Sequence, residues 1–435
     1  MEQGSSSKSA LISLIKTIVG AGILSMPYAF AKNGIVFGIF MIAIAAISSW
    51  YGLFLQGYVS RYVPVGHATF FNICSITYPS LSVVFDIAIM VQCIGCAISY
   101  LVLTGELMSS IIPGANFIES ISDKAFWIIC SSFVCMPLSF IKNLDSLKYT
   151  SVLGLASLLY MSVLVVGHYV VGDIPESSKG EVVLFPKNVS GVLGTFSLMV
   201  FAFTGHQNMF SIINEVEDKS LINLSRILAK GILISAVFLT SVGLAGYGTF
   251  GDKVSGNIIL QYLNSWTSVL GRLSIACMVI FSFPLMFHPA RISAGNIYYY
   301  IKNIISPPME ESTTDERSPL IYGSRQNPVS ALKSVHVIVM PTKVYMIITS
   351  LMLAFAYVMA LSVSSFAFVL SIVGATGSTS ISFILPGLFG SSLIGTEQIE
   401  ISRIAKIFKK LSSILVVWGI CVMLLCLYST LFLGS

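Results

Sequence analysis

The chain has 435 residues, of which 55% are hydrophobic and only 10% charged, with a formal net charge of +5. A soluble domain carries about 25% charged residues, so this composition excludes a water-soluble globule and puts most of the surface against lipid. In such a protein the position of each Lys and Arg says more than their sum.

A membrane-crossing helix needs roughly 20 mostly apolar residues. In chain order, runs of that kind fall near 11–29, 34–56, 84–108, 125–141, 150–171, 192–213, 227–247, 267–287, 344–363, 366–389 and 411–433. The expected fold class is therefore an all-α polytopic membrane protein of eleven spans. Only Ser364-Ser365 separates the ninth run from the tenth. An odd number of spans puts the termini on opposite sides. With the N-terminus in the cytosol, 18 of the 24 Lys and Arg residues become cytosolic and 6 do not. The positive-inside rule favours that orientation, with a lumenal C-terminus. The division is a cytosolic tail (1–10), a first five-helix unit (11–171), a lumenal loop (172–191), a second five-helix unit (192–389), a cytosolic loop (390–410) and an eleventh helix with a lumenal end (411–435).

Within the second unit, 303–340 has no apolar period and is rich in Pro and Ser near 306–330. That composition predicts a disordered cytosolic loop. It contains Glu316, Leu320 and Ile321 in an acidic dileucine spacing, a pattern that adaptor complexes read to sort membrane cargo.

The chain contains no phosphate-binding G-x-x-x-x-G-K-[ST], no H-E-x-x-H and no zinc-spaced Cys/His cluster. No enzyme site, cofactor, metal or nucleic-acid partner is expected, and uphill transport must draw on an ion gradient. The eight cysteines read as small side chains compatible with a membrane.

Two spans are interrupted. The first carries Gly20 and Gly22 in 17–24 with Pro27 beyond, and the sixth carries Thr204, Gly205, His206, Gln207 and Asn208 at mid-membrane. In lipid a broken helix is tolerated only around a cavity, because freed backbone groups need partners. Breaks in spans one and six are the spacing of two inverted five-helix repeats. The opening of a helix attracts an anion and freed carbonyls attract an ammonium, so a zwitterionic amino acid fits both. We expect the N–H groups of Gly20, Ala21, Gly22 and Ile23 to hold the α-carboxylate. Carbonyls of Thr17, Ile18, Phe203 and Thr204 would hold the amine, with Gly205, His206 and Asn208 completing the site. Close helix packing is the simpler use of the glycines.

A charge in the bilayer core is costly, which makes intramembrane ionisable groups functional candidates. Glu106, toward the lumenal end of the third span, and His206, in the sixth-span break, are the proton-coupling candidates, with His206 also read as lining or orienting the site. Asp86 reads as a helix-end or gating charge, and His168 and His288 as structural. Lys16 either attracts an acidic side chain or snorkels to the cytosol, the second being favoured.

These interrupted segments also carry a likeness. The stretches 17–28 (TIVGAGILSMPY) and 201–215 (FAFTGHQNMFSIINE) resemble the first- and sixth-helix signatures of the amino acid/auxin permease family. The stretches 247–252, 283–291 and 374–387 support it. Within the family the chain is most similar to the fungal vacuolar amino acid exporters, in particular the subgroup associated with acidic amino acids. The resemblance implies a LeuT-like 5+5 fold plus an eleventh helix. It also implies proton-driven export of amino acids from the vacuole lumen to the cytosol. Sodium-coupled animal members carry Asn just before the first signature, where this chain has Lys16, and a fixed cation there would repel Na⁺. An amino-acid-sensing receptor and a plasma-membrane importer are the alternative readings.

Overall fold

The computed structural model describes residues 5–114, 122–141, 148–305, 340–363, 365–396 and 402–433. The loop residues Glu316, Leu320 and Ile321 lie outside them. The described residues are almost wholly helical and have a single isolated bridge, between Ser5 and Val216.

Each of the eleven expected spans corresponds to helix. The first is α1 (Ser7–Ile18), a 3₁₀ turn (Ala21–Ser25) and α2 (Met26–Asn33), bent by 44°. Span two is α3 (Ile35–Val59), span three α5 (Ser82–Ile111), span four α6 (Asp123–Ser139) and span five α7 (Lys148–Val171). Between α3 and α5 lies a short helix not anticipated from the sequence, α4 (Phe70–Thr77). The sixth span is split into α8 (Val189–Ala202) and α9 (His206–Glu215). Spans seven and eight are α10 (Leu221–Phe250) and α11 (Trp266–Ile305). Span nine is α12 (Thr342–Ser362). Span ten runs from α13 (Phe366–Val373) through two π-helical stretches, Gly374–Ser378 and Ser380–Ile384, into α14 (Leu385–Leu393). Span eleven is α15 (Arg403–Phe432). Among the described residues, eight helices can cross a membrane singly and the bent first pair makes a ninth. The remaining two spans fall short for physical reasons: α6 has 17 residues, and the sixth is divided into pieces of 14 and 10.

The helix ends are set locally. Ser6, Thr69, Ser122, Ser220, Ser365 and Ser402 cap α1, α4, α6, α10, α13 and α15, each side chain accepting a backbone N–H three residues on. Ser365 thus separates spans nine and ten, although the polar gap between them is so short. At Gly34, φ is +73°, which stops α2 and starts α3. A Cβ there would sit 2.7 Å from the Leu184 backbone. That approach lets the 172–188 loop satisfy the opening of α3: Ile35 and Val36 N–H donate to the Val183 and Leu184 carbonyls at 3.1 and 3.0 Å.

The broken spans, together with α5, α7 and α11, form the interior. α5 lies along α11, and α1 and α2 lie against α10 and α8. Large apolar side chains such as Phe133, Val163, Val417 and Phe432 face outward, as lipid contact requires. The N-terminal tail is tied to the end of α9: Ser5 N–H donates to the Glu215 carbonyl at 2.7 Å, and Glu217 N–H donates to the Ser5 carbonyl at 3.0 Å.

Candidate functional site

Between the two breaks lies a cavity of about 330 Å³. Thr17, Ile18, Gly20, Ala21 and Gly22 line it from the first span, and Phe201, Thr204, Gln207 and Asn208 from the sixth. The remaining wall comes from continuous helices: Gln92, Cys96 and Tyr100 of α5, Gly154 and Leu158 of α7, and Met278, Ser282, Leu285 and Met286 of α11.

Gly22 explains why two breaks can share one cavity. A Cβ on Gly22 would lie 3.2–3.4 Å from Phe201 and Ala202, so a larger residue would push the two spans apart. A Cβ on Gly20 meets no atom within 4 Å, because Gly20 faces open space.

The backbone of the breaks divides into paired and unpaired groups. Gly20 N–H donates to the Ile18 carbonyl at 2.8 Å and Ile23 N–H to the Gly20 carbonyl at 3.2 Å. The tight backbone at the break, a turn at Ile18–Gly20 followed by the 3₁₀ turn, thereby uses two of the four N–H groups expected to face an anion, and Ile23 is fully buried off the cavity. Ala21 and Gly22 N–H make no backbone hydrogen bond among the described residues. On the acceptor side the Ile18 carbonyl is taken, while those of Thr17, Phe203 and Thr204 accept no backbone hydrogen bond among the described residues. The side-chain acceptor Gln207 Oε1 is buried, lines the cavity and has no partner among the described residues. A buried polar group left unpaired costs about 1–3 kcal/mol, so this set of donors and acceptors calls for a polar occupant.

Phe203, Gly205 and His206 do not line the cavity. Phe203 and His206 are wholly buried. His206 turns toward α3 and span ten: its Nε2 is 3.2 Å from the Ser49 carbonyl, and its own carbonyl accepts from Gln56 Nε2 at 3.2 Å. Gly52 makes room for it, since a Cβ there would stand 2.8 Å from His206 Nε2 and 2.0 Å from the Ser382 carbonyl. Gln207, one position on, was not among the residues expected at the site, although an i/i+1 step on a helix is enough to exchange the buried face for the cavity face. Gln92, Tyr100 and Ser282 left no sequence signal, because nothing interrupts their helices. Gln92 accepts from Ser378 Oγ at 2.8 Å, which ties the cavity wall to the π-helical part of span ten.

The cavity leads toward the face that carries the N-terminal tail. A second, smaller space of about 200 Å³ shares Lys16, Thr17 and Asn208 with it and adds Ser13, Ser211, Ile212 and Glu215. Lys16 therefore stands on the cavity wall, half-buried, rather than extended fully to solvent.

The opposite face is shut. Ser25 Oγ, at the end of the first break, donates to the Gly256 carbonyl at 2.6 Å. The next residue, Asn257, donates through Nδ2 to Glu106 Oε2 at 3.2 Å. Glu106 Oε1 accepts the first N–H of α13, from Phe366, at 2.9 Å and lies 3.6 Å from Lys124 Nζ. Arg272, 2% exposed, holds the same loop by donating to the carbonyls of Ile259 at 3.2 Å and Tyr262 at 2.6 Å and to Asn264 Oδ1 at 2.6 Å. Glu106 is thus outside the cavity but at the centre of its closed end. Asp86 sits at the other end of α5, accepting from Asn296 Nδ2 at 3.1 Å. His168 pairs with Asp173 at 2.8 Å and stacks on Tyr262. His288 contacts Arg291 at 2.9 Å.

A family model described as transmembrane amino acid transporter protein matches residues 3–432. Among curated proteins, vacuolar amino acid transporter 7 of Saccharomyces cerevisiae is 37% identical, with 99% of each chain covered. Vacuolar amino acid transporter 6 of the same organism is 39% identical, with 98% of each covered. Solute carrier family 38 member 8 of Mus musculus is 23% identical over 90% of this chain and 86% of its own. Among solved structures, the nucleobase-cation-symport-1 family transporter Mhp1, in a closed conformation with bromovinylhydantoin bound, superposes with a TM-score of 0.52 at 12% identity. That match covers 99% of this chain and 91% of Mhp1, so the fold is LeuT-like.

Proposed function

The chain belongs to the transmembrane amino acid transporter family, and from that premise we propose that it exports amino acids, acidic ones among them, from an acidic vacuolar lumen to the cytosol with protons. The observation that carries this reading is the cavity at the two breaks. Among the described residues it offers N–H groups without a backbone partner at Ala21 and Gly22 on the first-span side, and on the sixth-span side the Thr204 carbonyl, likewise without one, with the unpaired Gln207 Oε1. An α-carboxylate matches the first set and an α-ammonium the second. The vacuolar amino acid transporters among its relatives support the location. The basic residues on the face that carries the N-terminal tail support a cytosolic N-terminus, and the cavity then opens to the cytosol.

Proton coupling rests on Glu106. As an anion it accepts from Asn257 and from Phe366 N–H, and so holds the lumenal loop over the cavity. A proton arriving from the lumen removes the charge that both donors and Lys124 oppose. The latch weakens, and the lumen-open form that loads cargo gains population. His206, buried against α3 and outside the cavity lining, acts as packing behind the sixth-span break. The energetics suffice: each pH unit is worth about 1.4 kcal/mol per proton, and 100 mV about 2.3 kcal/mol per charge.

The test is release of labelled amino acid from isolated vacuoles, or from liposomes holding the purified chain with an acidic lumen, with and without a proton uncoupler. Release that needs the pH gradient is expected. Release that the uncoupler leaves unchanged would remove the coupling, and no release of any amino acid would remove the export reading itself.

A further inference from the structure

We infer that the head of α15 is a docking surface for an anionic lipid whose headgroup carries a phosphomonoester. Arg403, Lys406, Lys409 and Lys410 fall within eight residues at the start of this 30-residue helix. At about 100° per residue they share an arc of roughly 120°, and the helical rise places all four within about 10 Å along the axis. Arg403, Lys406 and Lys410 are exposed and Lys409 is half-buried. Among the described residues none of the four side chains makes an ion pair or a hydrogen bond. A fifth cation stands at the same end of the bundle. The Arg61 guanidinium lies 4.1 Å from the Tyr58 ring centre, and Tyr58 packs edge-on against Phe408 at 6.3 Å.

Such crowding needs an anion beside it. The first turn of α15 holds no acid, its cations oppose the positive end of the helix dipole, and like charges three and four residues apart repel. The sequence sets only Glu397 and Glu400 just upstream, outside the described residues, two acids against four cations. The surface beside the arc says what the anion is attached to. Ile404, Ile407, Leu411 and Ile414 form an exposed apolar stripe, while Ala405, Ser412 and Leu415 are buried against the bundle. A soluble anion gains nothing from that stripe, whereas a lipid fills both. Its acyl chains cover the isoleucines, and the long cationic side chains reach its headgroup. In the orientation proposed above this is the cytosolic leaflet. Topology asks only that cations lie on this side. A shared arc goes further, because it lets one headgroup with more than a single negative charge meet several of them. The site bears on the rest of the molecule through packing. A Cβ on Gly390 would stand 2.6 Å from Ser412 Oγ, and one on Gly387 2.8 Å from the Ser412 carbonyl. Span ten in turn gives Ser378 Oγ to Gln92 on the cavity wall. A bound headgroup therefore steadies the helix against which span ten is packed.

The experiment is native mass spectrometry of the full chain titrated with phosphatidylinositol 4-phosphate, phosphatidylserine or phosphatidylcholine, a readout that does not depend on transport. The wild type is expected to hold the phosphomonoester lipid more tightly than either of the others. A cation near an anionic surface contributes about a fivefold gain in binding. Replacing Arg403, Lys406, Lys409 and Lys410 together by Gln should therefore weaken the phosphomonoester lipid by roughly tenfold or more. The charge-keeping set Arg403→Lys, Lys406→Arg, Lys409→Arg and Lys410→Arg should retain it. Arg226, Lys230, Lys302 and Lys343 are exposed cations on other helices of the same face, and replacing those four by Gln should change binding by less than about twofold. If the four-Gln chain does not fold, the pairs Arg403→Gln/Lys406→Gln and Lys409→Gln/Lys410→Gln carry the same test. In lipid nanodiscs the phosphomonoester lipid should raise the melting temperature of the wild type and leave that of the Gln variants where it was. Binding that survives the Gln replacements overturns the proposal. So does an equal loss in the control set, or a wild type that holds phosphatidylserine as tightly.

Discussion

Neutralising Glu106 is the most informative perturbation. In Glu106→Gln the carboxylate that accepts from Phe366 N–H at 2.9 Å and Asn257 Nδ2 at 3.2 Å becomes an amide. One oxygen remains as an acceptor, and the new NH₂ faces a donor. A hydrogen bond to a charged group contributes about 1.5–3 kcal/mol and a neutral one about 0.5–1.5, so the retained bond weakens by about 1 kcal/mol. The donor facing the NH₂ loses its partner at a cost of about 1–3 kcal/mol. The Lys124 contact, 3.6 Å long with side chains 24% and 13% exposed, adds about 1 kcal/mol at most. The closed lumenal face therefore loses roughly 3–4 kcal/mol relative to the open one, a shift of more than a hundredfold in their ratio. Two measurements read this shift in the reconstituted chain. A cysteine at Ser255, in the same loop, should react faster with an impermeant thiol reagent from the lumenal side. Release of glutamate should depend less on lumenal pH, because the variant has no carboxyl at the latch to take up a proton. If Glu106→Gln keeps both the wild-type pH dependence and the wild-type labelling rate, the latch argument is wrong.

Other consequences are separable. Arg272→Leu strips the Ile259 and Tyr262 carbonyls of their donors and should cost about 3 kcal/mol or more, seen as a lower melting temperature in detergent. Gly20→Ala should leave that temperature unchanged, since its methyl meets nothing within 4 Å, while reducing the rate for the larger cargo more than for the smaller. Gly377→Ala, by contrast, would place a Cβ 2.6 Å from Gln92 Cα and should destabilise by about 1–3 kcal/mol. His206→Asn should lower stability by about 1–2 kcal/mol through the Ser49 contact without moving the lumenal pH profile. If one proton accompanies each cargo molecule, glutamate export carries no net charge, so clamping the membrane potential with valinomycin should change glutamine flux but not glutamate flux.

What the amino-acid order determined alone was whatever depends on backbone chemistry in lipid. Gly20, Gly22 and Thr204-Gly205 announce breaks because glycine-rich backbone cannot stay helical cheaply, and freed N–H and C=O groups survive in a membrane only around a cavity. The eleven helical segments were legible from their apolar runs; among the described residues, eight helices and the bent first pair are long and apolar enough to cross a membrane. Ser365 marked the turn between spans nine and ten although little else did. Tertiary structure decided which faces meet. Gln92, Tyr100 and Ser282 reach the cavity from unbroken helices whose rotation only packing can set. His206 and Gln207, adjacent in sequence, point to opposite environments because α3 and the π-helical stretch of span ten close around the first. The turn at Ile18–Gly20 and the 3₁₀ turn after it consumed the N–H groups of Gly20 and Ile23, a choice between turn geometries that sequence leaves open. Lys16 follows the same rule: whether a long cationic side chain reaches water or a cavity depends on the walls around it, and only the assembled bundle supplies them.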